Sequence, residues 1–328
     1  MRCFVTGATG FIGSRVVRRL ARGGHRVRCL VHRPEKAAVL SGLDVETVQG
    51  EIDDRALLRA AMEGVDWVFH LAALYDFWTP KPAEYWRVNV DGTKAALETA
   101  LEAGVRKVVH VSSFIVYGQP EVQPLAEGVP EGPRRFSRYA ESKHAADELA
   151  WELRRTRGLP LVAVYPGAVV GEEDPKPSGD YVRALVEHEL PATLLEQHVF
   201  PFVYVDDAAE IVVRAAEKEG NEGERYFAVA ENLTWGELNR RISELSGERL
   251  PRLHVPGPLV MPAAAAMTLL ADLTGQPPLW GMAVDQMRTM KHGTRVDGGK
   301  AARELGVRYT PIREALARAV GARHAAVG

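Results

Sequence analysis

The chain has 328 residues, 46% of them hydrophobic and 26% charged, with a net charge of −2. That is an ordinary soluble globular composition, and the near-neutral charge gives no electrostatic reason to expect nucleic acid or an anionic membrane as a partner. Cys3 and Cys29 are the only cysteines and both fall inside predicted strands, which excludes a disulfide framework and a metal-ligand spacing; no metal is expected, and a reducing, cytoplasmic setting is the default.

In chain order, strands are predicted at residues 2–6, 26–31, 45–49, 67–71, 107–111 and 161–165, and helices at 14–22, 54–62, 85–103 and 139–157. Met1 leads straight into the first strand, so no signal peptide is expected. Strands alternating with helices imply an α/β fold, a doubly wound parallel Rossmann sheet with helices on both faces. After Pro166 the rhythm breaks into the proline- and glycine-rich stretches 167–201 and 232–292. The expected division is a dinucleotide-binding part, 1–166, to which 201–230 returns as a helix and a strand, and a smaller C-terminal substrate lobe from 167–200 and 231–328. Residues 255–271 are the most apolar stretch, but Pro256, Pro258 and Pro262 interrupt it. A lid or core helix is expected there, and no membrane span.

The first βα turn carries Gly7, Gly10 and Gly13. Their spacing lets the first turn tightly, the second admit a pyrophosphate to the backbone, and the third bring the helix close to the strand. The second strand ends Leu30-Val31-His32-Arg33-Pro34, with no carboxylate before Glu35. Arg33 can grip a 2′-phosphate with two donors, so NADP(H) is the preferred cofactor and NAD(H) the alternative. After the third strand, Glu51 is placed to accept from an adenine amino group and Ile52 to pack on the base, or both are ordinary loop residues.

Tyr139 and Lys143 are four apart on a predicted helix and share one face. A protonated lysine beside a phenol lowers its pKa, which fits the tyrosine for proton transfer. Upstream, Ser112 and Ser113 end a predicted parallel strand, where open α/β sheets keep their ligands; a hydroxyl there can donate to a carbonyl oxygen as charge builds on it.

Together Thr6-Gly-Ala-Thr-Gly-Phe-Ile-Gly13, His70-Leu-Ala-Ala73, Asn89-Val-Asp-Gly-Thr93, Ser112-Ser-Phe-Ile-Val-Tyr-Gly118, Tyr139-Ala-Glu-Ser-Lys143, the segment from Pro166 to Gly171 and Val205-Asp-Asp207 resemble the extended short-chain dehydrogenase/reductases. Within them the chain looks most like the dihydroflavonol-reductase and 3β-hydroxysteroid-dehydrogenase branch. It is also similar to bacterial hopanoid-associated sugar epimerases in Trp78-Thr-Pro80 and Asp174-Pro-Lys-Pro-Ser178. The resemblance implies that Ser113 polarises the carbonyl, Tyr139 is the acid/base, Lys143 holds the nicotinamide ribose and Asn89 supports the site. It further implies cofactor contacts from Thr9, Phe11, Ile12, His32, Leu71, Ala72, Ala73, Ser112, Pro166 and Val169. His32 departs from the pattern, standing where relatives often have an arginine. Tyr204 stands where many have histidine. Ser113 is followed by Phe114-Ile115 rather than the Asp-Glu pair of sugar-nucleotide dehydratases, which argues against dehydration.

The substrate wall is read from the aromatic loop residues Tyr75, Phe77 and Trp78 with Phe114 and Tyr181, joined by Phe200 and Phe202; these suit an apolar carbonyl compound or are plain packing. Glu172, Glu173 and Asp174 oppose a nucleotide-diphosphate substrate, while Arg183 and Arg225 keep it open. Three readings follow: an NADPH-dependent reductase or reverse dehydrogenase, a nucleotide-sugar epimerase, and a dinucleotide sensor without turnover. The resemblance is to monomers as well as homodimers.

Overall fold

The computed structural model describes the backbone of residues 1–327 and the side chains of residues 1–322. The chain begins β1 (Arg2–Thr6), α1 (Phe11–Arg22), β2 (Arg26–Val31), β3 (Val45–Gln49), α2 (Arg55–Ala61), β4 (Trp67–His70), α3 (Ala83–Trp86), α4 (Gly92–Glu102), β5 (Lys107–Val111), α5 (Arg138–Arg157) and β6 (Leu161–Pro166). It continues β7 (Ala168–Val170), α6 (Pro177–Val186), β8 (Ala192–Thr193), β9 (Val199–Tyr204), α7 (Val205–Glu217), β10 (Arg225–Ala228), β11 (Glu231–Thr234), α8 (Trp235–Ser246), β12 (Leu253–His254), α9 (Gly257–Thr274), α10 (Val284–Lys291), α11 (Gly299–Leu305) and α12 (Ile312–Val327).

Seven parallel strands form the central sheet in the order β10-β6-β5-β4-β1-β2-β3. Every residue of β5 and β6 is buried, as a sheet covered on both faces requires. Strand alternation assigns the faces: Val5, Val109 and Val162 pack with Val16 and Leu20 of α1 and Ile211 and Val212 of α7. Their neighbours Phe4, Val108 and Leu161 pack with Leu58 of α2, Leu97 of α4 and Leu153 of α5. The sheet is therefore doubly wound, as expected, and its order reverses between β1 and β4. A ligand crevice opens at such a switch point.

The rest is built on a second sheet, β11-β9-β7, in which β9 runs antiparallel to β11 and parallel to β7. Its core of Phe200, Phe202, Trp235, Leu238 and Leu316 is continuous with Phe114 and Tyr139. The tail then returns to the main sheet: Ala301, Leu305 and Val307 pack with Tyr226 and Ala228, and Thr310 donates to Asp207 through its N–H at 2.6 Å and its hydroxyl at 3.0 Å.

Two elements differ from the sequence reading. The predicted helix over 85–103 is interrupted by a π-helical turn at Arg87–Asp91. The stretch 232–292, read as proline- and glycine-rich, is largely helical; the helix expected over 255–271 is present as α9, with Pro256 before it, Pro258 in its first turn, where no N–H is needed, and Pro262 inside it.

Candidate active site

The turn after β1 is fixed by close backbone contact. Gly7 has φ +67°, and a Cβ there would lie 2.7 Å from the Ala72 nitrogen and the Leu71 carbonyl carbon. A Cβ on Gly13 would lie 2.0 Å from the Gly7 oxygen, so only glycine lets α1 settle on the turn. The Gly10 N–H closes the turn on the Gly7 carbonyl at 2.9 Å. Gly10 caps α1 without a side chain, and the first turn holds no acidic residue. The leading N–H groups, those of Phe11, Ile12 and Gly13, have no intrahelical acceptor and point where an anion is favoured. Ser112 Oγ is buried without a hydrogen-bond partner. This set fits a dinucleotide: glycine cradle, helix end and an orphan hydroxyl at the strand tips.

The other proposed cofactor residues frame the crevice. Half-buried Leu71, Ala72 and Ala73 follow β4, Thr9 is half-buried in the glycine turn, Pro166 ends β6 and Val169 lies in β7. His32 and Arg33 are exposed at the end of β2. Glu51 Oε1 lies 2.7 Å from His32 Nδ1, and its Oε2 accepts from Arg87 at 3.4 Å. Arg33 makes no ion pair among the described residues. Ile52 is buried in the core against Gly92, where a Cβ would come within 2.6 Å of its Cγ2.

Ser137 caps α5, its hydroxyl accepting from the Ala140 N–H at 3.1 Å, and this sets Tyr139 in the first turn with Lys143 one turn later. Both are buried, 7% and 2% exposed. The Lys143 ammonium donates to the Val111 carbonyl at 3.0 Å, bridging α5 to the end of β5. Burial pulls that lysine down to about 8, with Asp147 partly offsetting the effect. Burial also pushes the Tyr139 phenol up. The expected depression of the phenol by Lys143 is thus not found: desolvation wins, and the ammonium is spent on a backbone carbonyl. Ser113 is half-buried at the start of a 3-10 turn, Phe114–Tyr117, and takes only a long 3.5 Å contact from the Ile115 N–H, which leaves its own proton to donate.

Asn89 lies in the π turn, 1% exposed. Its Oδ1 accepts from the Leu74 N–H at 2.7 Å, and its Nδ2 donates to Ser142 Oγ at 2.9 Å and the Leu74 carbonyl at 3.2 Å. Ser142 in turn donates to the Tyr139 carbonyl at 2.9 Å. On the other side, Thr93 donates to the Asn89 carbonyl at 2.6 Å and meets His70 Nε2 at 2.9 Å, while His70 Nδ1 meets Thr6 Oγ1 at 2.8 Å. Burial holds His70 down to about 3, so the ring is neutral and relays hydrogen bonds without charge. A buried polar chain thereby joins the end of β1 to the first turn of α5. Its members His70, Thr93 and Ser142 escape a sequence reading of single residues, although all lie inside the quoted motifs. Asp147, which accepts from Tyr165 at 3.0 Å, was also missed; its place four residues beyond Lys143 was the available signal.

Of the aromatic residues, Tyr75 and Phe77 meet Tyr139, with centroids at 5.0 and 6.3 Å, the latter edge-on. The Lys176 ammonium lies 5.8 Å from the Tyr75 ring; it sits inside the Asp174–Ser178 motif, and the sequence reading gives this lysine no role at the site. Asp174 beside it is raised to about 6 by burial, against the pull of the Ser178 hydroxyl, which donates at 2.6 Å. Phe114 packs edge-on to Phe200 at 5.1 Å. Trp78 is pinned by its indole N–H to Asp272 of α9 at 2.9 Å. Tyr181 donates to Asn239 at 2.6 Å and packs on Trp235 at 5.7 Å, which ties it to the α6/α8 contact; it makes no ring contact with Tyr139 among the described residues. A cavity of about 570 Å³ between α1 and α7 is lined by Arg15, Arg19, Asp206 and Glu210 and includes none of these residues.

Residues 3–228 match the profile of the NAD dependent epimerase/dehydratase family. The chain is 33% identical over 332 residues to sterol demethylase protein B of Methylococcus capsulatus, covering 98% of this chain and 97% of that one. It is 29% identical to a putative dihydroflavonol 4-reductase of Synechocystis, covering 97% and 93% of the two chains. The crystal structure of gox2253 superposes with a TM-score of 0.82 at 32% identity over 99% of this chain and 98% of that one. With its Rossmann sheet, glycine turn and Tyr/Lys helix, the chain belongs to the NAD-dependent epimerase/dehydratase family and is an extended short-chain dehydrogenase/reductase, an NAD(P)-dependent enzyme.

Proposed function

We propose that this enzyme is an NADP(H)-dependent oxidoreductase that transfers a hydride between the nicotinamide and an apolar ketone, aldehyde or secondary alcohol, with Tyr139 as acid/base. The observation that carries the substrate class is the enclosure of Tyr139 by the Tyr75 and Phe77 rings. A buried phenol with aromatic walls excludes water and favours an apolar reactant. The preference for NADP rests on Arg33, exposed at the end of β2, while the carboxylate of Glu51 is engaged by His32 and Arg87.

The bound cofactor supplies or accepts the hydride. As negative charge grows on the carbonyl oxygen, Tyr139 donates its proton and Ser113 a hydrogen bond. The raised phenol pKa keeps that proton in place before reaction. Lys143 orients the cofactor ribose and, once drawn from the Val111 carbonyl, favours the phenolate. Asn89 holds the Leu74 backbone and, through Ser142, the turn that carries Tyr139.

Both cations that would serve a nucleotide-sugar substrate have partners within the protein, which weighs against that reading. Arg183 is paired with Glu187 and Glu189, and Arg225 stacks on Trp151 at 4.1 Å. The decisive assay incubates the enzyme with NADPH or NADH and a panel of apolar carbonyl compounds and sugar nucleotides. Consumption of NADPH matched by alcohol formed is the expected result. Interconversion of sugar nucleotides without net cofactor turnover overturns the proposal in favour of an epimerase.

A further inference from the structure

Among the described residues, seven of the ten exposed large hydrophobic side chains lie between residues 253 and 280. Most belong to α9, an eighteen-residue helix of which only Val260, Ala264 and Ala271 are buried. At 100° per residue those three fall on one side, toward α10, to which the Thr268 hydroxyl is also tied by the Val284 N–H at 2.9 Å. The opposite stripe carries Leu259, Leu269, Leu270 and Leu273, exposed by 57, 61, 47 and 77%, and the following turn adds Leu279 and Trp280 at 52 and 51%. The expectation of a core or lid helix therefore meets a helix whose apolar stripe faces solvent. One face is committed to protein, which rules out a free-standing span and leaves the geometry of a helix lying in an interface.

Charge decides what covers it. Across residues 249–291 the cations are Arg249, Arg252, Arg288 and Lys291, all exposed, and the carboxylates are only Asp272 and Asp285. Both carboxylates are engaged by the protein itself: exposed Asp272 accepts from the Trp78 indole N–H at 2.9 Å and half-buried Asp285 from the Arg138 N–H at 2.8 Å. The near-neutral charge of the whole chain conceals this excess of exposed cations in the segments that precede and follow the apolar stripe, the pairing that matches acyl chains beneath anionic headgroups. A partner protein would call for aromatic and polar groups across the patch, whereas the exposed stripe of α9 is leucine, alanine and proline and Trp280 alone adds an aromatic ring.

We infer that α9 and the Leu279–Trp280 turn lay this enzyme on an anionic lipid bilayer. The same helix holds Trp78 through Asp272, and the neighbouring Phe77 ring meets Tyr139, so the docked face adjoins the aromatic wall of the site. Entry of substrate from the bilayer rests on the apolar-carbonyl reading; docking itself does not.

The test is sedimentation of the full chain with vesicles of equal parts phosphatidylcholine and phosphatidylglycerol, without substrate or cofactor. The wild type should pellet with them, and Leu269→Glu/Leu273→Glu should weaken binding by about two orders of magnitude with an unchanged thermal melt. Arg288→Ala/Lys291→Ala should weaken it about tenfold, and that loss should vanish in salt. Should the leucine variant fold poorly, Trp280 fluorescence in the wild type gives a second reading: a blue shift on adding vesicles, lost in Trp280→Phe. A wild type that stays in the supernatant, a leucine variant that binds equally well, or a wild-type dimer that this variant dissociates while vesicles are ignored would each overturn the inference, the last assigning the face to a second copy. None of these readings depends on turnover, so a failed carbonyl assay and a failed docking assay are separate outcomes.

Discussion

On the side of the crevice under the β1 turn, backbone meets backbone: Gly7 against Ala72, Gly13 against Gly7, with the Thr6–His70–Thr93–Asn89–Ser142 chain beneath. On the side over Tyr139, rings meet rings at 5 to 6 Å, and the loop that carries them is held by an indole N–H on a surface helix. The first side has no room for a methyl group, while the second is made of apolar contacts that can be exchanged for others of similar size. One half of the site is thus specified atom by atom and the other by shape, which is how one fold keeps a cofactor and changes its substrate.

Tyr139 stands where the halves meet, and its removal should have the largest effect. Tyr139→Phe is expected to lower kcat by about 10²–10⁴-fold with cofactor affinity nearly unchanged. A variant that keeps more than about a tenth of kcat, with a deuteride isotope effect showing chemistry to be rate-limiting, would remove Tyr139 from the reaction. On the cofactor side, Arg33→Asp should weaken NADPH binding by about 1.5–3 kcal/mol and leave NADH untouched; titration calorimetry reads the difference, and equal losses would end the NADP assignment. Gly13→Ala should cost about 1–3 kcal/mol of stability by lifting α1 off the turn, and weaken both dinucleotides together. A melt unchanged from wild type would mean the turn is not the rigid half.

The buried histidines sharpen the same contrast through pH. His70 is held down to about 3 and His110 well below its ordinary value, both by burial, so the unfolded chain binds protons below about pH 6.5 that the native state refuses. Stability must then fall as pH drops below about 6.5, for His70 down toward about 3, by up to about 1.4 kcal/mol per pH unit for each ring that stays neutral in the native state. Neither nitrogen of His110 has a hydrogen-bond partner, so His110→Leu should flatten that slope without harming the neutral-pH melt. Identical urea-midpoint slopes for variant and wild type would contradict this. The smallest effect belongs to the substrate side: Phe77→Ala should raise KM for the best carbonyl substrate by about 2–10-fold, as for loss of one aromatic pair, with little change in melting temperature.

These halves were also unequally legible in the sequence. Strands such as Leu161–Tyr165 announce themselves as continuous apolar runs, and the Tyr139/Lys143 pair follows from helical spacing alone. The polar chain does not, because Thr6, His70 and Thr93 are brought together from positions 64 and 23 residues apart. Asn89 was reached only through family resemblance. The upward push of burial on the Tyr139 phenol is not legible in sequence, since desolvation depends on burial that no local pattern reports. In the C-terminal part the helix over 255–271 is legible despite its prolines, but the exposure of its apolar stripe is not, while the Thr234/Glu237 capping box that opens α8 is a local signal the reading leaves unused. Tyr181 was expected at the cleft because sequence does not say which side of α6 faces α8.

The π turn at Arg87–Asp91 has a consequence for the history of this helix. Such a turn is the mark of one extra residue accommodated inside an α-helix. Losing one residue there would restore ordinary winding and rotate Asn89 by about 100° relative to α4, away from Leu74 and Ser142. Substitutions along this helix can accumulate one at a time, but length cannot change by one. The segment from Tyr85 to Glu102 should therefore vary in letters and never in count among enzymes that keep this site, and deletion of Val90 should abolish turnover in a protein that still folds.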